Sequence, residues 1–201
     1  MNKWPARYIL AFLTAMTLVA CTGKNITGKF YTDHREQIDT IKNTFEELYS
    51  QKPFSLTFSD KRFRTVTLDI QTDSMTYIYD FLVTDPRLTD TLQHYQLDTA
   101  VTKRLITLMQ SIKCTWVNSF EYYADGIRKS LIFISVKPVA YKPVFKARRY
   151  YIITYYSQPQ PYDNEGRLLD KRRTRRLRKI NGQVFYRIND TVCYTISTQF
   201  R

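Results

Sequence analysis

The chain predicts an α+β fold: an antiparallel sheet built from hairpins, with two main amphipathic helices packed on it. Three observations carry that reading. Two stretches place apolar residues three and four apart, several others alternate apolar with polar residues, and turn signals join neighbouring alternating runs.

The first helix is expected from Asp33, with Glu36 three residues later in a capping-box-like start. Ile38, Ile41, Phe45 and Leu48 form its apolar stripe, and Pro53 stops it. Three strands follow: Phe54, Leu56 and Phe58 alternate with Ser55, Thr57 and Ser59, and Val66, Leu68 and Ile70 with Thr65, Thr67 and Asp69. The third, Met75 to Val83, puts Tyr77, Tyr79 and Phe81 on one face. A short helix is expected within Pro86–Leu97. Asp98 then caps a second firm helix with Val101, Leu105, Leu108 and Ile112 on one side. Strands return at Thr115–Tyr123 and Ile127–Val136, joined by the hairpin signal Asp125-Gly126. Pro138 and Pro143 mark a loop, Ala147–Ser157 a long strand, and Gln158–Gly166 an exposed loop. Leu169, Leu177 and Ile180, ending at Asn181-Gly182, allow a helix with a C-cap. A last hairpin pairs Val184–Ile188 with Val192–Ser197 across Asn189-Asp190. The two helix-then-strands stretches share an order without a residue-level repeat, which suggests a pseudo-duplicated sheet.

Residues 1–20 read as an export signal. Lys3 and Arg7 form a positive start, and Tyr8 to Val19 is an uncharged, mostly apolar run too short to span a bilayer comfortably. It ends in Leu18-Val19-Ala20-Cys21, which resembles the lipobox of bacterial lipoproteins. The resemblance implies cleavage before Cys21 and lipid on its thiol, whose chains bury methylenes in a leaflet. It makes 1–20 the signal, 21–32 a flexible polar tether with two glycines, and 33–201 a single α+β domain. Thr22, where enterobacterial-type lipoproteins retained at the inner membrane carry Asp, implies the outer membrane. No acidic run like the surface-export signal of Bacteroidota lipoproteins follows Cys21, so a periplasm-facing position is expected.

Lipidation of Cys21 leaves Cys114 and Cys193. An exported compartment permits a disulfide between them. Two buried thiols are the other reading, since free cysteine behaves as a small hydrophobe.

The chain carries 31 Lys+Arg against 18 Asp+Glu, a net charge of +13, while 43% hydrophobic residues exclude intrinsic disorder. Residues 22–136 balance 14 basic with 14 acidic side chains; residues 137–201 hold 15 against 4. The excess peaks in Lys171, Arg172, Arg173, Arg175, Arg176, Arg178 and Lys179. Such a run resembles a nucleic-acid patch, but export makes nucleic acid an unexpected partner. An anionic envelope component, such as lipid phosphate, suits the run better; a solvated face that blocks aggregation is the plainer reading. Arg148, Arg149 and the tyrosines at 150, 151, 155 and 156 mix cations with aromatics on one strand, where packing is the expected role.

No catalytic residues, metal site or cofactor are expected. His34 and His94 are the two histidines, sixty residues apart, and no nucleophile elbow, P-loop or dinucleotide fingerprint occurs. Glu121 and Asp125 flank one hairpin like ordinary surface acids. Five Asp-[Ser/Thr]-apolar triplets look like the O-glycosylation acceptor of Bacteroidota; those at Ser74 and Thr191 sit at expected turns. The expected protein is a lipid-anchored, outer-membrane envelope lipoprotein that acts as a binding or interaction module. Its partners would be the membrane, through its lipid, and an anionic envelope component or envelope protein. The alternatives are an envelope hydrolase acting on glycan or peptide, and an immunity- or inhibitor-like lipoprotein.

Overall fold

A computed structural model describes residues 22–124, 126–136, 150–170, 176–180 and 182–197, with side chains from Gly28 onward except that of Ala124. The expected signal and Cys21 lie outside the described residues. The chain divides into two units, Met1–Arg35 and Glu36–Arg201.

In the first unit, α1 spans Thr22–Asp33. The expected flexible tether is therefore a helix. Gly23 and Gly28 weaken it, yet the ladder is maintained to its end, where the His34 N–H donates to the Phe30 carbonyl at 3.1 Å. The His34 ring stacks on Phe30 with centroids 4.3 Å apart, so this histidine is half-buried rather than free in solvent.

In the second unit, α2 (Arg35–Gln51) buries Ile38, Ile41, Phe45 and Leu48, the stripe its spacing predicts. It is followed by β1 (Phe54–Phe58), β2 (Thr65–Gln71), β3 (Thr76–Leu82), α3 (Pro86–His94) and α4 (Thr99–Ser111). The Asp98 carboxylate accepts the Val101 N–H at 2.9 Å, the expected cap of α4. The α4 core face is rotated from the predicted one: Thr102, Leu105, Ile106 and Met109 are buried, while Val101 and Leu108 are only half-buried. Then come β4 (Cys114–Ala124), β5 (Ile127–Val136), β6 (Tyr150–Tyr156), β7 (Lys179–Ile180), β8 (Gln183–Val184), β9 (Tyr186–Arg187) and β10 (Val192–Ser197). Gly126, at φ +75°, turns β4 into β5 through a conformation that favours glycine.

Eight strands form one antiparallel sheet in the order β3-β2-β1-β4-β5-β6-β10-β9. Its first six strands are mirrored about the β1–β4 contact: β1, β2 and β3 step outward one way, and β4, β5 and β6 the other. A helix precedes each set, which is the pseudo-duplicated order. On one face the register lines up a row across all eight strands: Tyr79, Leu68, Leu56, Val117, Ile134, Ile153, Tyr194 and Tyr186. Helices α2 and α4 of the second unit cover this face. Phe45 of α2 packs on Phe54 at 5.1 Å, and the Tyr155 hydroxyl donates to Asp39 of α2 at 2.8 Å.

Candidate functional site

The opposite face begins with small hydroxyls. The row Asp80, Thr67, Thr57, Trp116, Ser135, Ile152 and Thr195 crosses from β3 to β10. Its polar groups bond sideways along the sheet: Thr67 to Asp80 at 2.5 Å, Ser55 to Asp69 at 2.9 Å, and Thr115 to Ser135 at 3.0 Å. Lateral bonding lets these side chains be buried without leaving their hydroxyls unmet.

On the β5, β6 and β10 side, apolar residues take over, and the described parts of residues 160–185 cover them. Leu168 and Phe185 pack with Leu131, Tyr156 and Cys193 into a second core, flanked by Tyr122, Phe133, Tyr162 and Ile180. The covering layer is built from turns and short hairpins, correcting the helix allowed near Leu169–Ile180. Asp163 accepts the backbone N–H of Glu165 and of Arg167, closing a turn in which Gly166 sits at φ +74°. Leu169 bridges Leu177, the Asp170 N–H donates to the Arg176 carbonyl at 2.8 Å, and β7 pairs with β8 around Gly182. Gly182 is thus a hairpin residue, not a helix cap. Backbone bonds within the segment, such as the Leu168 N–H to the Phe185 carbonyl at 2.8 Å and the Arg178 N–H to the Leu168 carbonyl at 2.9 Å, hold it in place while Leu168 and Phe185 are buried beneath it.

The described end of the basic run stands on this layer. Lys171, Arg172, Arg173 and Arg175 lie outside the described residues. Arg176 and Lys179 are exposed, and the Arg178 guanidinium lies over the Tyr156 ring, 5.8 Å from its centroid. Other cations nearby are neutralised. Arg167 bonds Asp163 at 2.7 Å and Glu165 at 3.0 Å; Arg187 bonds Asp190 at 2.6 Å and covers the Tyr162 ring at 5.8 Å. Among the described residues, no ion pair joins Arg176, Arg178 or Lys179 to a carboxylate. Arg148 and Arg149 are outside the described residues, but Tyr150–Tyr156 is buried on both faces, so those tyrosines serve packing.

Cys114 and Cys193 are free and buried. The disulfide reading fails on the sheet order: β5 and β6 lie between their strands, a separation of roughly 14 Å at ordinary strand spacing. A disulfide needs Cα atoms within about 7 Å. Burial pushes both thiols up to about 12. Around Cys193, the hydroxyls of Tyr162, Tyr156 and Thr154 pull the other way without overcoming burial. Those three hydroxyls, with that of Tyr122, are buried and find no partner of good hydrogen-bond geometry.

Ser74 is exposed at the tight turn between β2 and β3, where the Thr72 N–H meets the Met75 carbonyl at 2.9 Å. Thr191 is half-buried, its hydroxyl bonded to Asn189 at 3.2 Å. Glu121 pairs with Arg128, an ordinary cross-strand ion pair; Asp125 lies outside the described residues. His94 is exposed, edge-on to Tyr95, whose hydroxyl meets that of Tyr79 at 2.8 Å. It lines a shallow depression of about 460 Å³ with Gln51, Lys52, Tyr95 and Gln96. A second, of about 240 Å³, lies among Val83–Pro86, Lys103, Ile106 and Thr107. Among the described residues, no three His, Cys, Asp or Glu side chains gather to hold a metal.

Sequence reasoning missed the second core and the stacking of Arg178 on Tyr156. The available signal was Leu168 and Phe185 flanking a basic run, but their burial depends on strands far away in the chain. No helix among the described residues is long and apolar enough to cross a membrane. Compared with family models, with curated proteins and with solved structures, the chain matches none.

Proposed function

We propose that the chain is a lipid-anchored envelope protein that works by binding, meeting an anionic envelope surface through its basic C-terminal layer. One observation carries the binding half. Of the layer's four acids, Asp163, Glu165 and Asp190 are engaged by Arg167 and Arg187, and among the described residues no ion pair joins Arg176, Arg178 or Lys179 to any of the four, Asp170 included. Their charge is thus available to an outside anion, and each cation near an anionic lipid surface contributes about 1 kcal/mol before screening. The anchoring half is supported by Leu18-Val19-Ala20-Cys21 and the apolar run before it. In this reading the lipid on Cys21 holds the protein at the outer membrane facing the periplasm, and the cations orient the domain on it. Ser74, exposed at its turn, is the better of the two proposed glycan acceptors.

The test of binding is co-sedimentation of a chain starting at Thr22, which carries no lipid, with phosphatidylglycerol vesicles. Binding at low salt that is lost at high salt supports the reading. So does a loss of roughly tenfold or more in Arg176→Gln/Arg178→Gln/Lys179→Gln. Absent or salt-insensitive binding overturns it. For the anchor, the full chain incorporates a fatty-acid label in cells and Cys21→Ala does not; an unlabelled parent chain ends that part.

A further inference from the structure

The two ends of the sheet are finished differently. At one end, β9 is two residues long, and its outer side is occupied: Arg167 bridges Tyr186, and the Arg187 N–H donates to the Gly166 carbonyl at 2.7 Å. At the other end, β3 runs seven residues, with no proline or lysine and with unbroken register against β2. Of the usual devices that blunt an edge, short length, proline, a bulge or charge, β3 carries only the single charge of Asp80 among its described residues.

The orientation of its backbone is readable. Bonded and non-bonded pairs alternate along an antiparallel ladder. The Thr72 N–H donates to the Met75 carbonyl and the Val83 N–H to the Arg64 carbonyl. Residues 77, 79 and 81 therefore face β2, and Thr76, Ile78 and Asp80 turn their N–H and C=O groups outward, as Leu82 does its N–H, its carbonyl accepting the Asp85 N–H at 2.8 Å. Among the side chains on this edge, Ile78 is 67% exposed, Leu82 55% and Met75 53%. Single apolar residues on a surface are ordinary; three of them, Met75 on one face and Ile78 and Leu82 on the other, along an open backbone ladder are not.

We propose that β3 is a self-association site, at which a second copy of the chain adds its own β3 antiparallel about a two-fold axis at Ile78. The edge is complementary to itself in that register. Ile78 meets Ile78 as a bonded pair, Tyr77 lies opposite Tyr79, and Met75 opposite Phe81. The strand's one charge, Asp80, lies opposite Thr76 of the other copy, whose hydroxyl can donate to it, so the two carboxylates stand well apart. Centring the axis on Asp80 would instead set like charges face to face. The occupied β9 end offers no strand for a head-to-tail contact, so association closes at two copies instead of growing into a fibre. One strand per copy makes an interface at the small end of the range, which gives a weak dimer in solution. None of this depends on the lipid anchor.

Sedimentation velocity of the full chain in non-ionic detergent, across a range of concentrations, tests it. A concentration-dependent dimer is expected for the parent chain. Ile78→Lys, which places two ammonium groups at the axis, should weaken it by about tenfold or more while leaving the thermal melt and circular dichroism of the monomer in place. A positive readout comes from Ile78→Cys, since a bonded pair holds its Cα atoms about 5.5 Å apart, within disulfide reach. Mild oxidation should cross-link Ile78→Cys, while Leu82→Cys and the parent chain should not. A chain that stays monomeric throughout, including one whose edge takes up an extended partner peptide instead, overturns the proposal. So does a dimer unaffected by Ile78→Lys, or cross-linking equal at positions 78 and 82.

Discussion

The two faces of the sheet solve burial by different means. The helix side is mostly apolar: its central row carries Leu68, Leu56, Val117, Ile134 and Ile153 under α2 and α4, and Ile38, Ile41 and Phe45 above are fully buried, with Ser119 and Thr102 the hydroxyls there that find no good partner. The opposite side mixes hydroxyls bonded along the sheet with a local apolar core under an irregular layer. The first face gains its stability from area removed from water, over many strands at once. The second rests on a few contacts, Leu168 and Phe185 above all, and contains four buried hydroxyls without good partners. A face held by few contacts opens at lower free energy than a continuous core. That face also carries Arg176, Arg178 and Lys179, so the described end of the basic run sits on the less firmly held side.

The largest expected effect is on the helix side. Phe45→Ala should cost about 3–5 kcal/mol in urea unfolding, since it leaves a cavity beneath α2 that its neighbours only partly fill. Leu168→Ala should cost about 2–4 kcal/mol and alter the near-ultraviolet signal of Tyr156 and Tyr162 while α-helical ellipticity persists. If the two variants instead melt every element together with equal loss, the contrast between the faces is wrong.

Alkaline pH probes both faces. Cys114 and Cys193 are raised from an ordinary value of 9.0 to about 12 by burial, so the folded state holds these protons more tightly than the unfolded chain. The stability they contribute is complete below pH 9 and is lost as pH rises toward 12, at about 1.4 kcal/mol per pH unit for each thiol. Burial acts in the same direction on Tyr156 and Tyr162. Urea midpoints at successive pH values should therefore fall steeply above 9, less so in Cys114→Ala and Cys193→Ala.

Smaller effects separate the hydroxyls from the rings that carry them. Tyr162→Phe removes a buried hydroxyl that has no good partner, so it should be neutral or stabilise by up to about 1 kcal/mol, read from the urea midpoint. Arg178→Ala should cost about 0.5–1 kcal/mol of stability through lost stacking on Tyr156, and should weaken binding to anionic vesicles.

Local pattern carried a large share of the fold. The α2 stripe, the Asp98 cap, the alternation in β1 and β2 and the Asp125-Gly126 hairpin are each set by neighbours in the chain. Those neighbours suffice because helix and strand periods place their side chains on one face. The rotation of α4 toward Thr102 and Met109 was not legible, since which flank of a wide apolar stripe faces inward depends on what it meets. The candidate site was legible only as charge. Seven cations in 171–179 are plain in sequence, but the partners that neutralise Arg167 and Arg187, and the ring beneath Arg178, come from folding.

By itself, the sequence determined the α+β class, the hairpin-built sheet and the confinement of surplus charge to the last third. Tertiary structure alone decided that Cys114 and Cys193 stay apart, because strand order is a long-range property and places β5 and β6 between them. It also decided that Leu169 bridges Leu177 and that Lys179–Ile180 pairs with Gln183–Val184, because Leu168 and Phe185 find their apolar partners on β5, β6 and β10 and not within a helix of their own. The open edge at β3 is likewise a consequence of order: a strand's sequence sets which residues alternate, and only the sheet sets which strand is last.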